Sequence, residues 1–144
     1  MTPPVTGASP VALDFSWLVD RFAQSTAGVI AAIAVSADGL LMAMSADLPQ
    51  QDADRLAAIS SAVLGLAGGV SDSYPMGDPD KIIIELQQGY FVVCTISIGC
   101  SLGVLATKQA GLGAVAYEMA VFANRASSVL NPQLIEELKN TVGQ

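Results

Sequence analysis

The chain has 144 residues, 52% of them hydrophobic and only 13% charged, about half the usual charged share, which predicts a single domain carrying more apolar surface than a monomer hides. Six Lys and Arg against thirteen Asp and Glu leave a formal charge of −7; nucleic acid and anionic membrane surfaces are excluded as partners, because both need a concentration of cations. With no histidine, and with Cys94 and Cys100 as the two thiols, Ser-His and Cys-His dyads, imidazole bases and structural zinc sites are excluded as well.

Residues 1–12, MTPPVTGASPVA, contain neither a basic region nor an apolar core and read as a short disordered tail, not a signal peptide. Segment 13–26, LDFSWLVDRFAQST, places Leu13, Trp17, Leu18 and Phe22 along one side at helical spacing, predicting a helix docked by its aromatic face. Gly28 ends it. VIAAIAVS and LLMAMS flank Ala37-Asp38-Gly39 and form a hairpin, since a glycine after Asp supplies the positive φ of a tight turn. Pro49 opens a second helix that runs to about Ser73, with Asp52 and Asp54 in its early turns where the helix dipole favours anions. The breaker-rich loop Tyr74 to Pro79 follows.

Three strands come next, over 81–87, 89–97 and 100–107, turning near Gln88-Gly89 and Ile98-Gly99. Tyr90, Val92, Cys94 and Ile96 share one face while Phe91 and Val93 take the other, so both faces of the sheet need covering. This register sets Cys94 across from Gly103 and away from Cys100, which disfavours a disulfide and suits two reduced thiols in a cytoplasmic setting. Leu112, Val115, Met119, Phe122, Ala126 and Val129 then mark a third amphipathic helix. After Asn131-Pro132, QLIEELKN makes a short, weakly anchored terminal helix. The order α-β-β-α-β-β-β-α predicts an α+β sandwich: one five-stranded antiparallel sheet with helices on both faces, a domain over 13–134 and a helical tail over 135–144.

Within the second helix, LAAISSAVLGLAGGVS runs from Leu56 to Ser71 without a charge. Leu56, Ile59, Val63, Leu66 and Val70 form a bulky stripe suited to the sheet. Beside it Ala58, Ala62, Gly65 and Gly69 form a stripe of small residues that lets a second backbone approach closely. A helix without a charged side is buried nearly all round, and a second copy of the chain about a two-fold axis is the expected cover. Gly65, Gly68 and Gly69 each cost about 1 kcal/mol relative to alanine in a helix interior, and close helix contact offsets that cost. The uncharged run falls short of the roughly 20 apolar residues a membrane span needs, so no membrane insertion is expected.

From Leu13 to Leu134 the sequence resembles the Roadblock domain of the dynein light chain type, particularly its bacterial members. The residues that carry the likeness are LDFSWLVDRF with Gly28-Val29, the VSADGLLMAMS hairpin, DADRLAAISS, IIIELQQGYFVV and GCSLGVLATKQAGLGAVAYEMAVF. The resemblance implies a Roadblock/profilin-like fold and a homodimer in which the second helix and third strand of each subunit meet. Together with the small-residue stripe it assigns Ala58, Ala62, Gly65, Leu66, Gly69, Ile82 and Ile84 to the dimer interface. It also implies a noncatalytic adaptor or regulator of a small Ras-like GTPase, modulating GTP hydrolysis within a sensor-kinase signalling cluster, with sensor kinase-associated proteins as further partners. Relatives often carry basic residues in the later turns of the second helix, where this chain has Gly68, Gly69, Ser71 and Asp72. None of the three arginines, Arg21, Arg55 and Arg125, lies in a Gly-rich loop that would present it as an arginine finger.

Two other classes compete. A small-molecule-binding sensor module would use Val104, Ala106, Phe91 and Met119 as pocket lining, residues that equally suit plain core. An enzyme with Cys94 or Cys100 as nucleophile would need a Lys or carboxylate base, yet Glu85 and Glu118 read as solvent-facing or interface charges. Gly111 to Gly113 lacks the GxxxxGKS or GxxxxGKT setting of a phosphate loop. Accordingly no catalytic residue, cofactor or metal is assigned.

Overall fold

Ser9 starts the first helix: the Ala12 amide donates to its hydroxyl at 3.2 Å, and Pro10 occupies the first turn, where a missing N–H leaves nothing unpaired. In this computed structural model, which describes residues 9–142, α1 therefore spans Pro10–Ser25. Residues 9–12 of the expected tail are cap and first turn; the rest of that tail lies outside the described residues. The chain continues through β1 (Val29–Ser36), β2 (Leu41–Met44), α2 (Gln50–Ser73), β3 (Lys81–Leu86), β4 (Gly89–Ser97) and β5 (Cys100–Thr107). A 3-10 turn over Lys108–Ala110 leads to α3 (Leu112–Ser127) and α4 (Pro132–Val142).

The strands form one antiparallel sheet in the order β2-β1-β5-β4-β3, so β2 and β3 are its edges. Gly39 and Gly99 turn two of the three hairpins, β1–β2 and β4–β5, with φ of 83° and 90°, values that disfavour any residue with a Cβ. Helices α1, α3 and α4 pack on one face around Val92, Leu102 and Val104, whereas α2 covers the other, against Ile33, Val35 and Leu41, joined there by Val142 at the end of α4. This is the α+β sandwich expected from the order of elements.

Three local expectations are corrected. Helix α1 docks through Ala12, Phe15, Val19 and Phe22, leaving Leu13 and Trp17 in solvent. Phe15 and Phe22 both meet the edge of Phe122, at centroid distances of 6.4 and 5.6 Å. Trp17 stands about 200° round the helix from Phe15, so burying one exposes the other. In the sheet, a bulge between Thr95 and Ser97 shifts the register by one, placing Cys94 opposite Leu102 and Cys100 opposite Ser97; both thiols are free. Last, over its described residues α4 is held firmly where weak anchoring was expected of residues 135–144; residues 143–144 of that tail lie outside the described residues. Leu134 and Leu138 are buried, Lys139 reaches Asp38 at 3.3 Å, and the Ser9 N–H donates to Glu137 at 2.6 Å. Because the helix extends to Val142, its apolar residues form a stripe long enough to grip the β2 edge.

Candidate interaction surface

Small side chains bring α2 onto the sheet. Ala53, Ala57 and Ser60 are its buried residues, and Ser60 disposes of its hydroxyl by donating to the Leu56 carbonyl at 2.8 Å. Beneath them Gly103 of β5 supplies the clearance: a Cβ there would lie 3.0 Å from Ser60 Oγ and 3.0 Å from Phe91 Cζ. A bulky residue at either position would push helix and sheet apart.

Beyond Leu56, which packs against the sheet-side core, the bulky stripe consequently turns outward, which corrects the expectation that it lies on the sheet. Leu66 is 76% exposed, Val70 59% and Ile59 38%. Leu56 and Val63 are half-buried. Of the residues assigned to a dimer interface, Ala58, Ala62, Gly65, Leu66 and Gly69 are all exposed in the single chain. Gly65, Gly68 and Gly69 have open space where a Cβ would stand. In one copy, therefore, α2 is far from buried all round; its outer face runs without a charge from Leu56 to Ser71 and stays uncovered. Ile59, Val63 and Val70 join the candidate surface although sequence reasoning placed them on the sheet. The Ala53-Ala57-Ser60 spacing was the signal that could have shown it.

Strand β3 extends this surface. Ile82 pairs with Val93 and Ile84 with Phe91, so the two isoleucines sit half-buried on the α2 side of the sheet. The outer side of β3 has no strand partner among the described residues, and its backbone N–H and C=O groups form a template for another strand. A helix face without charge beside an open strand edge can pair with protein. Among the described helices α2 alone is long and apolar enough to cross a membrane by length and composition, but its inner face is already packed on the sheet.

The remaining candidates fall elsewhere. Burial pushes the Cys94 thiol up to about 11, with Asp80 adding to the effect, and burial pushes Cys100 to about 12. Both stay protonated near neutrality and are poor nucleophiles. Glu85 is exposed and ion-pairs with Lys108, and Glu118 is exposed on α3. Gly111 is the residue before α3, at φ 77°. Phe91, Val104, Ala106 and Met119 are all buried, as plain core requires, and of these Met119 borders a cavity of about 350 Å³ between α3 and the β3–β4 edge. Among the described residues no group of three or more His, Cys, Asp or Glu side chains could hold a metal.

With this geometry in hand, comparison with known proteins is specific. The family profile for the Roadblock/LC7 domain matches residues 15–106. A crystal structure of the Roadblock/LC7 domain from Streptomyces avermitilis is 30% identical, with 82% of this chain and 99% of that chain covered and a TM-score of 0.60. A second crystal structure of a Roadblock/LC7 domain from Streptomyces avermitilis aligns at 27% identity over 78% of this chain and 94% of that one, with a TM-score of 0.74. Myxococcus xanthus MglB shares the fold at 14% identity, covering 81% and 94% with a TM-score of 0.74. No curated protein sequence matches.

Proposed function

Because the chain belongs to the Roadblock/LC7 family, we propose that it is a homodimeric, noncatalytic adaptor in the cytoplasm that regulates a small Ras-like GTPase. The observation that carries this reading is the uncovered apolar face of α2 beside the open edge of β3. Fully burying a large aliphatic side chain contributes about 1.5–3 kcal/mol. Scaled by the exposure of Leu66, Val70 and Ile59, a two-fold contact gains about 5–10 kcal/mol from these six side chains before the cost of association. Pairing β3 with its symmetry mate would add main-chain hydrogen bonds and remove the open edge. The joined α2 helices then form one platform, and the resemblance supplies its partner: a Ras-like GTPase whose hydrolysis the platform modulates by contact, with sensor kinase-associated proteins in the same cluster. A tagged chain should recover a nucleotide-binding GTPase from native lysate, and the purified pair should change that enzyme's GTP turnover. Repeated recovery of no nucleotide-binding protein overturns the assignment.

One observation favours a second reading, a small-molecule sensor. A cavity of about 500 Å³ opens between the Ser61–Gly65 part of α2 and the Ser97–Ser101 turn, with Ser36, Ser61, Thr95, Ser97 and Ser101 among its lining residues. The Ser97 Oγ is buried there without a hydrogen-bond partner among the described residues. A ligand held at 100 times its Kd would raise stability by about 2.7 kcal/mol. Thermal shift against a metabolite set separates the two readings, since a scaffold shows no such shift.

A further inference from the structure

Trp17 is the only tryptophan in the chain, and it stands 57% exposed on α1. Large aromatics in that setting are the usual anchors of protein contacts. The helices α1 and α3 splay above the edge-to-face pair Phe22 and Phe122, leaving a groove of about 250 Å³ between them. Trp17 and Arg21 form one wall; Val121 and Arg125 form the other. The Arg21 guanidinium lies 5.3 Å from the centroid of the Trp17 ring, a cation–π distance that fixes its position without neutralising it.

Charge makes this groove unusual for the molecule. Of six cations in a chain of charge −7, Lys108 pairs with Glu85, and Lys139 with Asp38 and Glu136. The other four form no ion pair among the described residues, and two of those four, Arg21 and Arg125, face each other across one groove. With thirteen carboxylates in the sequence, a pair of unneutralised arginines flanking an exposed indole is a local reversal of sign. Glu118 also lines the groove, so the site accepts anions at its arginines and repels them at that point.

We propose that the α1–α3 groove is a docking site for an acidic peptide segment of a partner protein. Its carboxylates lie against Arg21 and Arg125, and an apolar or aromatic side chain packs on Trp17 and Val121. The groove is on the sheet face opposite α2, so it works independently of the dimer and GTPase reading.

The test is to pan a random twelve-residue peptide display library on the intact chain and to score every recovered clone in parallel on Trp17→Ala. Clones that require Trp17 should be enriched in Asp and Glu next to Phe or Leu. The strongest clone, synthesised, should shift and quench the emission of the single tryptophan on titration. Its affinity should fall tenfold or more for Arg21→Glu and for Arg125→Glu, and again as salt is raised from 50 to 300 mM, while Ile98→Asp, 99% exposed and outside both the groove and α2, leaves it unchanged. Circular dichroism of each variant separates lost docking from lost folding. The proposal is overturned by clones that bind Trp17→Ala equally well, by Trp17-dependent clones lacking carboxylates, or by no clones at all. A change in mass in solution for Trp17→Ala also overturns it, since the groove would then be a contact between copies.

Discussion

Replacing Leu66 by alanine isolates the α2 contact from the fold. In one copy 76% of the leucine is exposed, so the single chain loses little when the side chain is cut back. A leucine contributes about 1.5–3 kcal/mol on full burial, and with roughly three-quarters left to bury the contact weakens by about 1–2 kcal/mol per copy, or 2–4 per two-fold dimer. At 1.4 kcal/mol per tenfold, Kd rises roughly 30- to 700-fold. Sedimentation velocity over a dilution series from 100 µM to 0.1 µM measures it, with circular dichroism reporting the folded content. Ile98→Ala is the control: Ile98 is 99% exposed in the β4–β5 turn and belongs to neither α2 nor β3. A Kd unchanged in Leu66→Ala refutes the assignment of this face, and so does an equal loss in Ile98→Ala.

Other expected outcomes bear on the fold and its charges. Gly103→Ala places a Cβ 3.0 Å from both Phe91 and Ser60, overpacking that should cost about 1–3 kcal/mol and lower Tm in a thermal melt. The ion pair between α4 and the first hairpin has two pH limits. Hydrogen bonding from Ser36 lowers the Asp38 carboxyl, so its contribution is present above the ordinary 3.8 and lost as pH falls through the lower folded value. Hydrogen bonding to Glu136 raises Lys139, so its share is complete below 10.5 and lost as pH rises through the higher folded value. Thermal melts across pH should show Tm falling at both extremes, and Lys139→Met should shrink the alkaline fall without abolishing it, because the two thiols share that range. The thiols give a one-sided effect: with Cys94 at about 11 and Cys100 at about 12 when folded, stability is complete below the ordinary value near 9 and declines as pH rises through the folded ones. Iodoacetamide at pH 8 should therefore alkylate the native protein far more slowly than the unfolded one, as mass spectrometry will register.

The pattern of errors in reading this chain has a physical cause. Strand positions were legible because turn chemistry is local: Gly39 and Gly99 carry the positive φ their hairpins need, and the apolar runs between them are the right length for strands. Helix faces were not. In α1 both the Phe15-Val19-Phe22 stripe and the Leu13-Trp17 stripe are apolar, and the choice is made by Phe122, about a hundred residues away. In α2 neither stripe is charged, and the choice is made by the clearance over Gly103. Periodicity detects an amphipathic helix by contrast between its sides, so it loses direction when both sides are apolar. The grip on α4 was hidden for a related reason, since Ser9 and Asp38 lie 128 and 101 positions from their partners. Within the candidate surface, the small residues Ala58, Ala62, Gly65 and Gly69 could be singled out because no other role accounts for glycines in mid-helix. Their bulky neighbours could not, because a core explained them equally well.

The inward choice of small residues on α2 also ties fold to assembly. Had Leu66 and Val70 faced the sheet, the helix would have stood farther from it and offered only alanine and glycine outside, a face with little to gain by burial. With Ala53, Ala57 and Ser60 inward, the aliphatic side chains are spared for the outside, alongside glycines that permit close approach. The two stripes then act together: one gives area, the other proximity. A two-fold contact through them would extend the sheet across β3 and carry each α1–α3 groove to the far side of the joined sheet, away from α2. One assembly would thereby hold a single central platform and two separate peptide grooves. That geometry demands a stoichiometry of two acidic peptides per dimer, independent of whatever occupies the platform.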